Sequence, residues 1–274
     1  MRCRGKIIPA LVLAGLLFSQ VAQALEIEPP LPSSCVYAKK TEDPQTKVNL
    51  YTRCLDENNE YGIQLEKYQR YEMYFLRANA LFDLRRYAEA LVDYDRFIAN
   101  SYGGHVWALH QRGLTHQAMG QRQLALADFN QALESNSGAV WVRFNRGQLF
   151  AEMGLYQPAI EDLHMAATSS PKTAVYANAL AWLLATCPDA KIHDGKEAVS
   201  FALKAVSIDR NAQYLDTLAA AQARKGDFKQ AAETQKAALD LLRKDKSVQE
   251  TIKEFTTRLS LYTAGKPYTQ HRSE

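Results

Sequence analysis

One helix-pair pattern recurs across residues 71–242 with a spacing near 34 residues, and this period restricts the possible folds more than any other feature. Its clearest copy runs over residues 141–171. Asn145, Arg146 and Gly147 sit inside a first helix, Ala151-Glu152-Met153-Gly154 ends it, and Tyr156-Gln157-Pro158-Ala159 opens a second. Leu163, Ala166 and Ala167 share one face of that second helix before Pro171 closes the unit. The preceding copy carries the same residue types one period earlier. A spacing of 34 residues separates Gly113 from Gly147 and Gly120 from Gly154, with Ala125, Phe129 and Ala132 matching Ala159, Leu163 and Ala166. Small residues recur where two helices approach closely, and large apolar ones recur where they interlock. Each pair buries little alone, so stacking must supply the core. The expected fold is all-α, a right-handed α-α superhelical solenoid of stacked helix pairs.

The pattern resembles the tetratricopeptide repeat, and the resemblance covers roughly residues 71–242. It rests on Gly147, Gly154, Tyr156, Ala159, Ala166 and Pro171 in the best copy. In the first copy Ala78, Tyr87, Ala90 and Tyr94 fit; in the last, Ala219, Gly226, Phe228, Ala231 and Ala238 do. Two positions depart from the pattern: Arg85 stands at the turn glycine, and Gln235 stands at a usual large apolar site. The block from Asn178 through Trp182 to Cys187-Pro188-Asp189 looks like a variant found in bacterial members. The resemblance implies a binding scaffold, and enzymes are seldom built this way.

The N-terminus reads as a leader. Arg2, Arg4 and Lys6 precede a mostly apolar run over 7–18, which ends in Val21-Ala22-Gln23-Ala24. A basic, apolar, small-x-small order is that of a secretory signal peptide cut after Ala24. The apolar core is shorter than the ~20 residues a membrane span needs. No stable membrane insertion is therefore expected after cleavage, and the periplasm or the extracellular space is the expected location. Removing three basic residues from 33 leaves 30 Lys+Arg against 30 Asp+Glu, so the mature chain is neutral. Nucleic-acid scaffolds need a basic face, and none is apparent. An exported chain can form disulfides. Cys35 and Cys54 are either a bridge that staples the first helices or two buried thiols at helix crossings, whereas Cys187 reads as a buried structural residue.

The expected organisation is a signal peptide (1–24), an N-terminal extension that can be read as a degenerate helix pair (25–69), about five repeat pairs (70–242), and a capping helix with tail (243–274). Within the extension, residues 25–34 read as an extended lead-in and 45–57 as a helix. The pairs are expected at 68–82 with 87–99, 106–119 with 122–134, and 139–153 with 157–168. A further pair follows at 172–185 with a helix starting near Gly195, then 212–225 with 229–241. The loop over 186–194 exceeds the repeat by about five residues, and such insertions often contribute to binding. A last helix over 247–262 should cover the apolar end of the stack with Ile252, Phe255 and Leu259 inward, leaving the final residues loose.

No catalytic or metal motif stands out. His110 and His116 are six apart and so lie on different helix faces, and no paired-cysteine spacing, His-Glu-x-x-His or phosphate-binding loop occurs. His193-Asp194 reads as a solvated loop histidine near a helix cap. Glu89, Asp93, Asp128, Glu161 and Asp162 recur at repeat positions and read as mostly outward-facing. No cofactor, metal or catalytic residue is expected.

In the architecture that the resemblance implies, the first helix of each pair lines a concave groove. The candidate binding residues are Phe75 and Asn79 in the first unit, then Trp107 and His110, then Trp141, Phe144 and Gln148, and finally Asn178 and Trp182. All three tryptophans fall on this face. Aromatic residues concentrate at binding hot spots. They either line the groove or pack between units as core. Arg77, Arg112, Arg143 and Arg146 should sit beside acidic residues on neighbouring helices. The expected function is a non-catalytic scaffold of the bacterial envelope that binds a peptide segment or protein surface in its groove. The alternatives are an envelope assembly or quality-control factor with several extended clients, and an enzyme whose site is hidden in the linear sequence.

Overall fold

The computed structural model describes residues 31, 33–56, 65–100, 105–242 and 248–270. The leader at 1–24, the turn at 101–104, the break at 243–246 and residues 271–274 lie outside the described residues. Among the described residues there are thirteen α-helices and no strand. They form two compact units, 1–101 and 102–274.

The first unit contains α1 (Ser33–Lys40), α2 (Pro44–Leu55), α3 (Lys67–Asp83) and α4 (Tyr87–Asn100). Ser33 and Ser34 are therefore helical, not part of an extended lead-in. Asp43 starts α2 by accepting a hydrogen bond from the Thr46 amide at 2.7 Å, with Pro44 in the first turn where its missing N–H costs nothing. A disulfide joins Cys35 of α1 to Cys54 of α2, with 5.2 Å between Cα atoms. The bridge sits in a small core with Tyr51, Leu55 and Met73.

The second unit holds the remaining pairs: α5 (Val106–Ala118) with α6 (Arg122–Ser135), α7 (Val140–Glu152) with α8 (Tyr156–Ser169), α9 (Ala174–Thr186) with α10 (Gly195–Ile208), and α11 (Ala212–Lys225) with α12 (Phe228–Leu242). A last helix, α13 (Gln249–Thr263), follows. Where α5 meets α6, a Cβ on Gly113 would lie 2.6 Å from the Phe129 ring, so the recurring glycine is a space requirement. The short turns within four of the pairs use the left-handed region. Gly120, Gly154 and Gly226 supply it at φ 73°, 73° and 98°, and Arg85 takes the same conformation at φ 59° in the first unit. The repeat thus keeps its turn geometry where the residue type departs.

The recurring aspartates correct the sequence reading. Asp93, Asp128 and Asp162 are buried rather than outward. Each is held by an arginine of the preceding helix: Arg77 Nε donates to Asp93 at 2.7 Å, Arg112 Nη2 to Asp128 at 2.6 Å, and Arg146 Nε to Asp162 at 2.6 Å. All three pairs are bidentate, which lets a carboxylate be buried with its acceptors satisfied. The arginine expectation thus holds, and the same contacts explain why the acids are not at the surface.

The long loop contains a 3-10 turn, Ala190–Ile192. His193 is half-buried, its Nε2 donating to the Cys187 carbonyl at 2.6 Å, and Asp194 caps α10 through the Lys196 and Glu197 amides. Each side chain is thus engaged by backbone groups around it. Cys187 is buried. Gly195 begins α10 directly against the end of α11, where a Cβ would lie 2.6 Å from the Lys225 nitrogen.

The C-terminal end departs most from expectation. Helix α13 packs on α12 and α11 and buries Phe255 and Tyr262 together with Arg258. Arg258 Nε donates to Asp216 at 2.8 Å, and Gln235 Nε2 donates to the same carboxylate oxygen at 2.6 Å. Gln235, fully buried at a usual apolar site, is thus half of a polar clamp. Burial pushes the Asp216 carboxyl up, while the Arg258 charge and the Gln235 hydrogen bond pull against it. Residues 266–270 are not loose. They fold back so that the Gln270 amide donates to the Thr186 carbonyl at 2.7 Å.

Candidate functional site

The first helices of the pairs place the candidate residues on one side of each unit, with two different fates. In the first unit, Phe75 packs on Phe97 at 5.1 Å and on Tyr94 at 6.0 Å between ring centres. The Asn79 carbonyl accepts a hydrogen bond from the buried Tyr94 hydroxyl at 2.8 Å. Both residues are partly exposed and partly used by the fold.

In the second unit Trp107 is 56% exposed and stacks on the half-buried Trp141 ring at 4.6 Å and 15°. The 34-residue period sets that stack, since it puts the two indoles at equivalent positions on adjacent first helices. The Trp141 Nε1 is buried with no hydrogen-bond partner among the described residues. Phe144 continues the aromatic face by packing on Tyr176 at 4.7 Å. His110 does not join the open surface. It is 6% exposed, lies 5.8 Å from the Phe129 ring, and accepts at Nε2 from the Asn145 amide at 2.6 Å. That bond keeps the imidazole neutral with its proton on Nδ1, and burial pushes its pKa down to about 4.

Gln148, Asn178 and Trp182 converge on one open groove of about 780 Å³, bounded on one side by α7, α9 and α11. Helix α13 supplies the facing wall through Thr251, Glu254, Phe255 and Arg258. Val175, 42% exposed, and Gln213 extend the lining. Asn178 is 7% exposed, and its Oδ1 has no hydrogen-bond partner among the described residues. Trp182 lies below the Arg258 guanidinium at 5.6 Å and beside the Tyr268 ring at 6.0 Å. A neighbouring hollow of about 960 Å³ is lined by Gly120–Leu124, Glu152, Pro188, Asp189 and Gln270, which brings the inserted loop to the same side of the unit.

The sequence reading thus placed three residues at this groove, and it missed Val175, Arg258 and Tyr268. Val175 had a signal: it follows Trp141 by one period and Trp107 by two. Arg258 and Tyr268 lie outside the repeat, so no period could place them. Among the described residues no group of three His, Cys, Asp or Glu side chains is arranged to hold a metal, and no helix is long and apolar enough to cross a membrane.

Residues 108–138 match the tetratricopeptide repeat family. No curated protein sequence matches the chain. Among solved structures, the fold is similar to that of MamA from Desulfovibrio magneticus RS-1, at 19% identity and a TM-score of 0.58, covering 67% of this chain and 99% of that one. It is similar to YrrB, described as a TPR protein with an unusual peptide-binding site, at 18% identity and a TM-score of 0.54, covering 74% and 97%. The C-terminal part of a TPR repeat-containing protein from Cytophaga hutchinsonii matches over 86% of this chain and 88% of its own, at 14% identity and a TM-score of 0.62.

Proposed function

We propose that this tetratricopeptide-repeat protein is a non-catalytic scaffold that binds an extended peptide segment of another protein in the groove between α9, α11 and α13. The observation that carries the reading is the Asn178 Oδ1, a buried acceptor without a partner among the described residues, lining an open groove beside Trp182 and Gln148. Buried polar atoms are almost always hydrogen-bonded, and the exceptions tend to mark function. A peptide main-chain amide supplies the missing donor, and the aromatic surface takes apolar side chains. The stacked Trp107 and Trp141 add an exposed platform on the same helix set.

We place the scaffold in the bacterial envelope. The leader-like residues 1–24 support export, and a Cys35–Cys54 disulfide suits an oxidising compartment. The neutral balance after leader removal favours a protein partner over nucleic acid.

Asn178→Leu separates binding from folding. Removing an unsatisfied buried acceptor leaves stability unchanged or raised, because Oδ1 has no hydrogen bond among the described residues to lose. The same change should weaken the captured partner by roughly tenfold, the worth of one hydrogen bond to a buried group. Capture from envelope extract by residues 25–274, compared with Asn178→Leu and with Gln148→Arg/Val175→Arg, checks this. One dominant partner lost in both variants supports a dedicated scaffold, and many weak clients lost together support an assembly factor. Undiminished capture by both folded variants refutes the groove.

A further inference from the structure

Residues 266–270 lay a tail against one end of this groove. After α13 the backbone turns at Gly265, φ 68°, and returns along the C-terminal ends of α9 and α11. Five contacts hold it. The Tyr268 ring packs on Trp182 at 6.0 Å and under the Arg258 guanidinium at 5.3 Å. Arg224 Nη2 donates to the Tyr268 carbonyl at 2.8 Å and to Thr269 Oγ1 at 2.9 Å. The Gln270 amide donates to the Thr186 carbonyl at 2.7 Å. Arg224 is itself fixed, because its Nε donates to the Ala185 carbonyl at 2.6 Å.

These contacts have the form of peptide recognition. Two of the three hydrogen bonds use tail main chain, and the ring packing comes from one half-buried aromatic side chain, Tyr268. Pro267 and Thr269 are exposed. Main-chain pairing with a pocket for one side chain gives affinity that depends on few residues of the bound segment. Any extended segment with an aromatic residue in the Tyr268 position can make the same set.

We propose that residues 267–270 are a built-in competitor for the groove, and that the partner's segment is extended, carries an aromatic residue, and binds by displacing this tail. The proposal rests on the groove reading above and names the chemistry of its ligand. A segment tethered a few residues from its site acts at high effective concentration, so it keeps its end of the groove occupied against weak or partial matches. Only a segment that adds contacts farther along, at Asn178, Gln148 and Val175, displaces it. The competing account is that the tail merely satisfies the Thr186 carbonyl at the end of α9, as helix ends require. A cap of that kind would not exclude a second peptide.

The two accounts differ in trans. The probe is a fluorescein-labelled peptide with the sequence of residues 264–274, titrated by anisotropy against the full chain and against Tyr268→Ala/Thr269→Ala. A tail engaged nine times in ten lowers the apparent affinity of the probe roughly tenfold, so the variant should bind at least that much more tightly. Tyr268→Phe keeps the ring and should behave as the original chain. Adding Arg224→Gln to the open variant should abolish the gain. Equal binding to the original chain and the open variant, or no binding to an open variant of unchanged helicity, overturns the proposal. If the double variant loses helicity, Gln270→Pro opens the tail by removing only the amide donated to Thr186, and the same two outcomes apply. A dimer lost in Tyr268→Ala would assign the tail to a second copy and overturn closure within one chain. Partner capture that still depends on Gln148 and Val175 while the probe fails to bind would refute the tail and leave the groove reading standing.

Discussion

His110 makes the second unit sensitive to acid in a way that a single substitution should remove. Its imidazole is 6% exposed, and its Nε2 accepts from Asn145, so protonation both charges a buried ring and breaks a hydrogen bond. Burial lowers its pKa from 6.5 in the unfolded chain to about 4 in the fold. Below the upper value the unfolded chain binds a proton that the folded one refuses. Stability is therefore complete above about pH 6.5 and lost as pH falls toward about 4, where the folded imidazole also titrates. Between about pH 7.5 and about pH 5.0, those two pKa values give a loss of about 2 kcal/mol from this residue. All three tryptophans lie at or beyond residue 107, so indole fluorescence during urea unfolding reports the second unit without the first. His110→Gln does not titrate, and its stability should fall by about 2 kcal/mol less than that of the original chain over the same interval. Other titrating groups are common to both proteins and cancel in the difference. Equal losses in the two proteins would refute the assignment of His110 as a buried neutral base.

Other perturbations test other parts of the fold. Cys54→Ser opens a loop closed by a 19-residue separation, which should cost about 3 kcal/mol by the chain-entropy relation and speed amide exchange in α1 and α2 roughly 100-fold. Asp162→Ala strips Arg146 and Arg143 of their shared partner, and urea unfolding should show a loss near 3 kcal/mol, the low end for a buried pair because Arg146 stays 20% exposed. Gly195→Ala forces a methyl to within 2.6 Å of Lys225 backbone, so thermal unfolding should show about 1–3 kcal/mol of destabilisation.

Most of the fold was legible because the repeat writes it several times. Gly113 with Phe129, and Gly147 with Leu163, are the same close approach one period apart, so the second-unit pairs could be placed to within two residues at each end. The buried aspartates were misjudged because a lone helical carboxylate usually faces water. Their signal was the arginine that precedes each by 16 residues, as in Arg77 and Asp93, Arg112 and Asp128, and Arg146 and Asp162. The period put Trp107 and Trp141 at equivalent positions but left open whether they line the groove or pack, and His110, expected in the groove, is buried beside Asn145, 35 residues away. The clamp of Asp216, Gln235 and Arg258 and the returning tail were not legible. They join the last repeat to residues that occur once, and a single occurrence has no period to reveal it.

The central claim is that a partner segment lies along the groove between α9, α11 and α13. Photo-crosslinking from single positions in cells that make the full chain tests it most directly. A crosslinking residue at Gln148, exposed and lining the groove, should join the chain to a partner, and one at the exposed Glu161 of α8, which does not line it, should not. The product from position 148 should disappear when Asn178→Leu is added. Crosslinks from position 161 alone, or a product at 148 indifferent to Asn178, would contradict the account.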